Sequence, residues 1–484
     1  MQHSIRKDLR TNYFIKLNLH CMRFFNKYIS LSLAALLAAI LLVPSCKDGG
    51  NYVPQISKPA SEYAAEVPLK WNQLFQDVDR FSPGYRPPAA ARLLAYTGLA
   101  AYEAAVPGMP EYNSLANHYQ GLSIPATDEN SQYHWPAAVN AAYHQMFLYF
   151  YPHISSGDKA KIEALNQGFE AQFTTEAGAE VFARSKAYGE AVALAVFNWS
   201  KTDASGHESF LDPRPASYTP PSTGANGEHL WQPTTPDFTK ALFPYWGNVR
   251  TFAMTPGDKI AKPPIAWSED PNSQFYNQAK EIKLWVDNAT NEDVWVAEFW
   301  SDDIFELTFE PAARLIAIAN QLVAEEKTPL DRSLELYAKM GMALCDVGVA
   351  VWNSKYVYNV ERPVQYIRRV MDPNWKTILN NPVKNVIGMT PEFPAYPSGH
   401  SGFGGAGAAI LTDIFGSRSF TDKCHEGRTE FVGTPRTFNN FAELGVEDAY
   451  SRLPLGVHFR MDCDEGLRLG YLAALRVQEL PWKK

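Results

Sequence analysis

The feature that most limits the fold is a set of long segments in which apolar residues recur at helical spacing. The clearest is LDRSLELYAKMGMALCDVGVAVWNS at residues 330–354, and similar segments precede it at residues 89–105, 135–151, 156–173 and 179–199. Such spacing gives an α-helix one apolar face, which must pack against another element. No segment of any length alternates apolar and polar residues as a half-buried strand would. We therefore predict an all-α fold, a helical bundle or two stacked bundles.

One long stretch interrupts this pattern. Residues 203–264 are rich in Pro, Gly and Thr, and Trp, Phe and Tyr recur among them. Aromatic residues at this frequency indicate an ordered loop rather than a disordered linker. Helical spacing returns at residues 271–287 and 297–325. With no internal repeat and no second compositional regime, residues 71–484 are predicted to form a single helical domain.

The first 46 residues have the pattern of an export signal. Arg23 and Lys27 precede the apolar run LSLAALLAAILLVP, which ends just before Ser45 and Cys46. A basic segment, a short apolar segment and small residues before a cut site are typical of a secretory signal, and the run is shorter than the roughly 20 residues of a permanent membrane span. Cys46 after VPS resembles a bacterial lipobox. We predict a lipoprotein signal peptide over residues 1–46, acylated at Cys46, and a tether over residues 47–70; an uncleaved membrane anchor is the alternative.

This prediction makes the chain an exported bacterial lipoprotein of the cell envelope, on the periplasmic or the outer-surface face. The formal net charge of −8 argues against nucleic acid as a partner, because nucleic-acid-binding proteins normally present basic surfaces. Cys345 lies in an apolar helical pattern and is predicted to be a buried thiol. Cys424 and Cys463 can form a disulfide in an exported chain, but two cysteines make a weak case for one. The sequence gives no prediction of the oligomeric state.

Three short motifs contain the reactive side chains, and each has an ordinary structural explanation when taken alone. KYVYNVERP contains Lys355 and Arg362, seven residues apart, which usually means a solvated helix face. PSGH at residues 397–400 opens a glycine-rich helix, which either lets backbone amides approach an anion or packs closely on a neighbouring helix. SRLPLGVHFRMD at residues 451–462 contains His458, and a lone histidine is more often a hydrogen-bonded core residue than a reactive group.

Together the motifs supply the groups that hold a compact tetrahedral oxyanion. They provide three cationic side chains, a hydroxyl group, helix-start amides and two imidazoles, on Lys355, Arg362, Arg452, Ser398, Gly399, His400 and His458. The planar guanidinium group of arginine forms bidentate hydrogen bonds with anionic oxygens, and lysine adds a point charge. Such a set stabilises the additional charge of a five-coordinate centre. The predicted ligand is phosphate or its isostere vanadate.

The motif set KX6RP, PSGH and SRX5HX3D resembles the superfamily that joins type 2 phosphatidic acid phosphatases and vanadium-dependent haloperoxidases. The resemblance implies that His458 is the apical imidazole, which is the vanadium ligand in a peroxidase, and that Asp462 orients it. It implies that His400 is the general acid and base. The equatorial oxygens would be held by Lys355, Arg362, Arg452, Ser398 and the Gly399 amide.

Several details resemble the haloperoxidase branch more closely. Trp352 lies three residues before the lysine, and Phe393 lies in FPAYPSGHSGFGGAG; both are similar to aromatic residues that shape a halide pocket. Asp303 in EFWSDD (or Asp302, one residue earlier) resembles an acid that pairs with the arginine of the third motif. The resemblance covers most of residues 70–480 and implies a vanadate cofactor, with hydrogen peroxide and halide as substrates.

Two other functions remain open on sequence grounds. In an acid phosphatase, with no cofactor, His458 would attack the phosphorus of a phosphate ester to form a phosphohistidine, and His400 would protonate the leaving alcohol. A non-catalytic surface-binding lipoprotein would suit the lipobox and the 13% aromatic content. That third reading treats the motifs as relics, although every charged member of them is present. We favour the haloperoxidase.

Overall fold

The computed structural model describes residues 57–234, 238–302, 304–429 and 432–484. The predicted signal peptide with Cys46, and the first part of the predicted tether, lie outside these ranges. Within them the chain is mainly helical, which confirms the predicted all-α class. No helix in the described ranges is both long enough and apolar enough to cross a bilayer.

The helices follow one another with short or loop-rich connections. In chain order they are α1 (Glu66–Asp79), α2 (Ala89–Glu103), α3 (Trp135–Phe150), α4 (Ser156–Ala177), α5 (Ala179–Lys201), α6 (Gln274–Asp287), α7 (Asn291–Phe299), α8 (Pro311–Glu326), α9 (Leu330–Tyr358), α10 (Pro363–Val370), α11 (Gly399–Phe415), α12 (Phe441–Tyr450), α13 (Arg452–Leu455) and α14 (Arg460–Gln478). Two small antiparallel hairpins accompany them, formed by β1 (Asn380–Asn381) with β2 (Val386–Ile387), and by β3 (Phe420–Asp422) with β4 (Arg436–Phe438). The stretch between α5 and α6 contains two short 3-10 turns, Ser209–Leu211 and Trp246–Asn248.

The largest difference from the predicted elements lies between residues 297 and 325. The apolar spacing there suggested one helical stretch, whereas α7 ends at Phe299 and α8 begins at Pro311. Proline disfavours helical geometry in the residue before it and is well suited to the first helical position. Glu310 is accordingly extended, with φ −76° and ψ 150°. The proline therefore sets the start of a new helix.

The body of the protein also begins before residue 71, the predicted start of the helical domain. Ala60 is fully buried, and the carbonyl of Tyr63 accepts a hydrogen bond from the Leu330 amide at 2.9 Å. Cys345 is buried, as predicted, and Cys345, Cys424 and Cys463 are all free thiols. The Cys424–Cys463 pair that the sequence left open is thus absent.

The long helix α9 is the centre of the fold and packs against both α2 and α11. Its contact with α2 depends on small residues, because a Cβ atom at Gly98 would lie 2.9 Å from the Tyr337 carbonyl oxygen. A Cβ atom at Gly341 would lie 2.6 Å from the Leu94 carbonyl oxygen. The two backbones therefore touch, and this close packing fixes the position of the end of α9 where the first motif lies.

The glycine-rich start of α11 has a similar packing role. A Cβ atom at Gly470 would lie 2.2 Å from the Gly402 carbonyl oxygen, and one at Gly466 would lie 2.5 Å from the Ser398 carbonyl oxygen. These distances bring α14 directly against α11.

Within the run itself, Cβ atoms at Gly404, Gly405 and Gly407 would lie 2.4 Å from Asp448 Oδ2, 3.0 Å from the Leu467 carbonyl oxygen and 2.3 Å from Leu315 Cδ1. These glycines therefore permit helix packing, whereas Gly399 at the helix start lines a cavity. Close packing therefore explains the inner glycines of the run, and only Gly399 is placed where its amide could approach an anion.

Candidate oxyanion-binding site

The three motifs meet in the structure, and each lies at the end of a helix. Lys355 is in the last turn of α9, which stops where Asn359 adopts a left-handed conformation with φ 47°. Arg362 is the residue before α10, whose first position is a proline. Ser398 caps α11, and its Oγ accepts a hydrogen bond from the Ser401 amide at 3.3 Å. A hydroxyl group that accepts in this way keeps its own hydrogen for another acceptor.

His458 and Asp462 form a buried pair at the start of α14. The imidazole Nδ1 lies 2.9 Å from Asp462 Oδ2, and the same oxygen accepts a hydrogen bond from the Phe459 amide at 2.9 Å. The carboxylate therefore fixes the ring orientation and places the hydrogen on Nδ1, which makes Nε2 the acceptor nitrogen of the ring. Burial raises the pKa of Asp462 to about 7, and the bond from the Phe459 amide opposes that rise.

The cations surround the opposite side of this imidazole. Arg362 Nη1 lies 3.1 Å from His458 Nε2 and also donates to the Val457 carbonyl at 2.8 Å. Burial lowers the pKa of His458 well below its usual value, and the charges of Arg362, Lys355, Arg452 and His400 add to this effect. His458 is therefore a neutral imidazole whose nitrogen lone pair faces positive charge.

Lys355 and Arg362 are held by main-chain carbonyls and by one aromatic ring. Lys355 Nζ donates to the carbonyls of Pro394 and Ala395 at 2.8 and 2.9 Å. The ring centroid of Phe393 lies 4.9 Å from Lys355 Nζ and 5.1 Å from Arg362 Cζ. Burial lowers the pKa of Lys355 well below its usual value, and Arg362 adds to the shift.

Arg452 completes the set from the start of α13. It is fully buried, and its Nη1 donates to the Trp300 carbonyl at 3.2 Å. It lies close enough to His458 and Lys355 to lower the pKa of both groups. Three fully buried cations thus converge on one imidazole, and burying like charges together is costly unless an anion compensates them.

A small cavity opens onto this cluster. It contains about 280 Å³ of empty space, part of it open to solvent, and its wall is mainly proline and aromatic. The lining residues are Pro87, Pro311, Trp352, Pro391, Phe393, Gly399, His400, Phe403 and His458. The rings of Trp352 and Phe393 lie 5.0 Å apart at 52°. The cavity leads from an apolar wall to the imidazoles of His400 and His458.

The structure brings together ten of the side chains or amides that the sequence singled out: Trp352, Lys355, Arg362, Phe393, Ser398, Gly399, His400, Arg452, His458 and Asp462. Asp303 lies outside the described residues. The neighbouring Asp302 is buried, and its charge raises the pKa of Arg314. The wall residues Pro87, Pro311, Pro391 and Phe403 were not predicted.

The donor set fits a tetrahedral oxyanion such as vanadate or phosphate. Buried ammonium and guanidinium groups, a capping hydroxyl and the first amides of α11 all suit anionic oxygens. The hydrogen-bond partners of Lys355 are carbonyls, so a bound anion is the group that would restore its usual pKa. His458 would supply a nitrogen donor to a vanadate held by these groups.

Comparisons with known proteins agree with this geometry. Residues 335–480 match the family model described as the second helical-bundle domain of vanadium chloroperoxidase. The vanadium chloroperoxidase of Curvularia inaequalis is 24% identical over 504 residues, which cover 85% of this chain and 81% of that protein.

Solved structures extend the comparison to the whole body of the chain. A bacterial vanadium-dependent iodoperoxidase matches with a TM-score of 0.73 and 26% identity, over 86% of this chain and 96% of that one. A bacterial vanadium-dependent chloroperoxidase without cofactor has a TM-score of 0.59 and 17% identity, over 81% and 93% of the two chains, and this likeness concerns the fold.

Fold and site together describe a helical protein with buried cations grouped around one histidine, and both resemble those of the haloperoxidase and type 2 phosphatase superfamily. Within that superfamily the chain is vanadium-haloperoxidase-like, since the family model, the curated relative and the solved structures all come from the haloperoxidase branch.

Proposed function

We propose that this protein is a vanadate-dependent haloperoxidase that oxidises halide with hydrogen peroxide. The observation that supports the proposal most is the meeting of three buried cations at the Nε2 side of a neutral, carboxylate-oriented histidine. The net reaction joins halide, hydrogen peroxide and one proton to give hypohalous acid and water. A vanadate bound here would act as a Lewis acid that activates hydrogen peroxide without changing its own oxidation state.

The protein residues bind the cofactor and stabilise negative charge on its oxygens. His458 binds the cofactor through Nε2, and Asp462 holds the imidazole in the tautomer that makes this possible. Lys355, Arg362 and Arg452 stabilise negative charge on the oxygens, in a buried site where such interactions are strong. Ser398 and the Gly399 amide complete the ring of donors.

His400 lies on the cavity wall and is the proposed acid and base. It is 5% exposed, so its imidazole is buried yet faces the space that hydrogen peroxide would enter. There it takes a proton from the peroxide and later returns one to the departing oxygen. Trp352 and Phe393 form the adjoining apolar wall, where a weakly hydrated halide loses its water at low cost.

The test is a comparison of the purified wild-type protein with His458→Ala. Wild-type protein treated with orthovanadate should brominate a phenol-type dye in the presence of bromide and hydrogen peroxide, and the variant should lose about 10³-fold or more of that rate. Binding of orthovanadate, followed by equilibrium dialysis, should be lost in parallel. Bromination that survives the substitution would refute the proposed role of His458.

Acid phosphatase activity is the alternative that the same geometry favours next. A neutral Nε2 beside Arg362 is also a suitable nucleophile toward phosphorus. If the protein oxidises no halide at any pH but hydrolyses an aryl phosphate, the phosphatase is correct. If neither activity appears and vanadate does not bind, a non-catalytic surface-binding lipoprotein is the better description.

We also propose that the chain is an exported bacterial lipoprotein anchored through acylated Cys46. The support is the leader pattern in the sequence, which precedes the described residues. Metabolic labelling with a fatty acid should mark the wild-type protein and leave Cys46→Ser unlabelled. Equal labelling of both forms would contradict the assignment.

A further inference from the structure

The long loop between α5 and α6 is fastened to α9 before it reaches the oxyanion site. The carboxylate of Asp346, a buried residue of α9, accepts hydrogen bonds from the three consecutive amides of residues 252–254, at 2.6, 2.8 and 2.8 Å. Two helical turns later, the side-chain amide of Asn353 donates to the Lys259 carbonyl at 3.0 Å. The loop therefore arrives at the turn of α9 that contains Lys355.

Ala261, a little further along the loop, binds the first motif through both of its main-chain groups. Its amide donates to Ser354 Oγ at 2.9 Å, and its carbonyl accepts the hydroxyl hydrogen of Tyr358 at 2.8 Å. Ser354 directly precedes Lys355 in the chain, and Tyr358 is the last residue of α9. The loop is thus attached to α9 on both sides of the lysine.

Lys262, the next residue, binds the elements of the other two motifs. Its amide donates to Glu465 Oε1 at 2.7 Å, and its carbonyl accepts the hydroxyl hydrogen of Tyr396 at 2.6 Å. Tyr396 directly precedes the PSGH motif, and Glu465 lies in the first turns of α14, close after Asp462. Four main-chain groups of two adjacent residues therefore reach all three motifs.

The side chains that receive these bonds are themselves held in place. Ser354 is fully buried and also donates to the Ala350 carbonyl at 2.8 Å. Tyr396 is buried, and Glu465 accepts a second hydrogen bond from Arg468 Nε at 2.8 Å. The side chain of Lys262, in contrast, is exposed. The connection therefore depends on the main chain of the loop and not on the lysine ammonium group.

The motifs also contact one another directly, in pairs. The Ala395 amide donates to the Val360 carbonyl at 2.9 Å, and the Ser398 amide donates to the Asp462 carbonyl at 2.9 Å. The loop differs because it joins the three motifs at one point. Groups that act together on one bound ion must keep their positions within roughly 0.5 Å, so such a connection bears on the affinity of the site.

We propose that the main chain of residues 261 and 262, which we call the 261–262 tie, fixes the spacing of the three motifs and so sets the affinity for the oxyanion. The side chains bound to the tie are then positioning residues: Ser354, Tyr358, Tyr396 and Glu465. None of these four described residues lines the cavity. The effect on vanadate affinity rests on the proposed function, whereas the coupling between the motifs does not.

The first measurement is the Kd of orthovanadate, followed by equilibrium dialysis. Tyr396→Phe keeps the ring but removes one bond of the tie, and should raise the Kd about 2- to 10-fold, as expected for one hydrogen bond. Ser354→Ala removes the acceptor of the Ala261 amide and should act in the same direction. The double variant should raise the Kd by less than the product of the two changes, because both cut the same connection.

Tyr102→Phe is the matched control. Tyr102 is fully buried, and its hydroxyl group also donates to a main-chain carbonyl, that of Asn113, at 2.7 Å. It lies about 20 Å along α2 from the end that adjoins the cavity residue Pro87. Tyr102→Phe should therefore lower the thermal stability but leave the Kd of vanadate unchanged. Lys262→Ala, which keeps the main chain, should also leave it unchanged. A Kd raised equally by Tyr102→Phe and Tyr396→Phe would refute the tie.

Hydrogen–deuterium exchange tests the coupling without vanadate. In Tyr396→Phe, exchange should increase near residue 396 and also in the last turn of α9 and the first turn of α14, while α2 keeps its wild-type exchange. An increase confined to the surroundings of residue 396 would overturn the proposal, whatever the affinity for vanadate.

The two measurements separate this proposal from the proposed function. If exchange spreads as described but the wild-type protein does not bind vanadate, the tie couples the motifs and the proposed function fails. If the wild-type protein binds vanadate and Tyr396→Phe binds it equally well, the tie does not set the affinity and the proposal is wrong. Thermal unfolding of all variants identifies any that fail to fold, and Ser354→Ala then provides the second test of the same connection.

Discussion

Two buried clusters in this molecule each contain arginine, histidine and aspartate, but they differ in charge and in access from solvent. The oxyanion site groups His458 and Asp462 with Lys355, Arg362 and Arg452. The other, which we call the Arg314 cluster, consists of Arg314, Asp422 and His425, all nearly inaccessible to solvent. Arg314 Nη2 donates to Asp422 Oδ2 at 2.8 Å, and its Nη1 meets the imidazole of His425.

The difference lies in charge balance and access. In the Arg314 cluster the single cation has its own carboxylate, and the rings of Phe299 and Trp300 lie 4.5 and 4.9 Å from its guanidinium carbon. In the oxyanion site three buried cations, on Lys355, Arg362 and Arg452, surround one imidazole, and a cavity reaches His458. A closed cluster with equal numbers of opposite charges therefore stabilises the fold. Several buried cations beside an open cavity instead suit the binding of an anion.

The largest expected effect comes from breaking the balanced cluster. Arg314→Leu leaves the Asp422 carboxylate buried without its cation, and loss of one partner of a buried pair costs about 3–5 kcal/mol. Urea unfolding should show this loss in the free energy of unfolding, without a large change in vanadate affinity of the folded fraction.

The double variant Arg314→Leu/Asp422→Leu is the matched control, because it removes both charges. It should recover most of the stability lost in the single variant. If the single variant is as stable as wild type, the Arg314 cluster does not hold the fold and the contrast between the two clusters is wrong.

The next effect concerns a buried carboxylate that belongs to neither cluster. Burial raises the pKa of Asp79 to about 7, although Tyr151 donates to it and Arg86 opposes the rise. Its folded-state pKa lies above its unfolded value, so the folded protein binds the extra proton and stability falls as pH rises from about 4 to about 7.

Asp79→Asn removes this titration and keeps the acceptor for Tyr151. At pH 8 the variant should be more stable than wild type by roughly 2–4 kcal/mol, and at pH 4 the difference should vanish. Thermal unfolding across this pH range measures it. Burial also raises the pKa of Glu103 to about 7, so the stability of the variant still depends on pH through that residue. A variant as pH-sensitive as wild type would contradict the assignment.

The third effect tests whether orientation of His458 matters as much as charge. Asp462→Asn keeps the shape of the side chain but weakens its hold on the Nδ1 hydrogen, and a residue supporting a metal-binding histidine is worth about 10- to 100-fold in affinity. The dissociation constant of vanadate, measured by equilibrium dialysis, should rise by that factor. Asp464→Asn, two residues on and paired with Tyr450, should leave it unchanged.

The sequence was sufficient to predict the class of fold and the charged side chains that meet around His458. Helical spacing identified α2, α3, α4, α5 and α9, and the motif spacing identified Lys355, Arg362 and His458 before their contacts were known. Both inferences depend on local patterns, since a helix and a motif are each visible in a short window of the chain.

What the sequence did not reveal depends on contacts between distant segments. Nothing near His425 distinguishes it from an ordinary core histidine, because its partner Arg314 is 111 positions away. The cavity wall joins Pro87, Pro311 and Pro391, three prolines from widely separated segments of the chain. The sequence left open whether the glycines of α11 expose amides or permit packing, and contacts with α12, α14 and α8 show that Gly404, Gly405 and Gly407 permit packing.

The smallest expected effect tests whether the two clusters are independent. Trp300 touches both: its ring lies beside Arg314, and its carbonyl accepts the Arg452 hydrogen bond at 3.2 Å. Its Nε1 donates to Glu447 at 3.0 Å, and Glu447 is also held by Arg436 at 2.7 and 2.8 Å. Trp300→Phe keeps the ring and the carbonyl and removes one hydrogen bond, so it should cost about 1 kcal/mol of stability.

Vanadate affinity should then change less than 2-fold, because Arg452 is held by the main chain of Trp300 and not by its indole nitrogen. Glu447→Gln, which keeps an acceptor for Trp300 Nε1, serves as the control for the lost hydrogen bond. A 10-fold or larger loss of vanadate affinity in Trp300→Phe alone would show that packing around Arg314 sets the position of Arg452. The Arg314 cluster would then help to position Arg452, and the two clusters would not be independent.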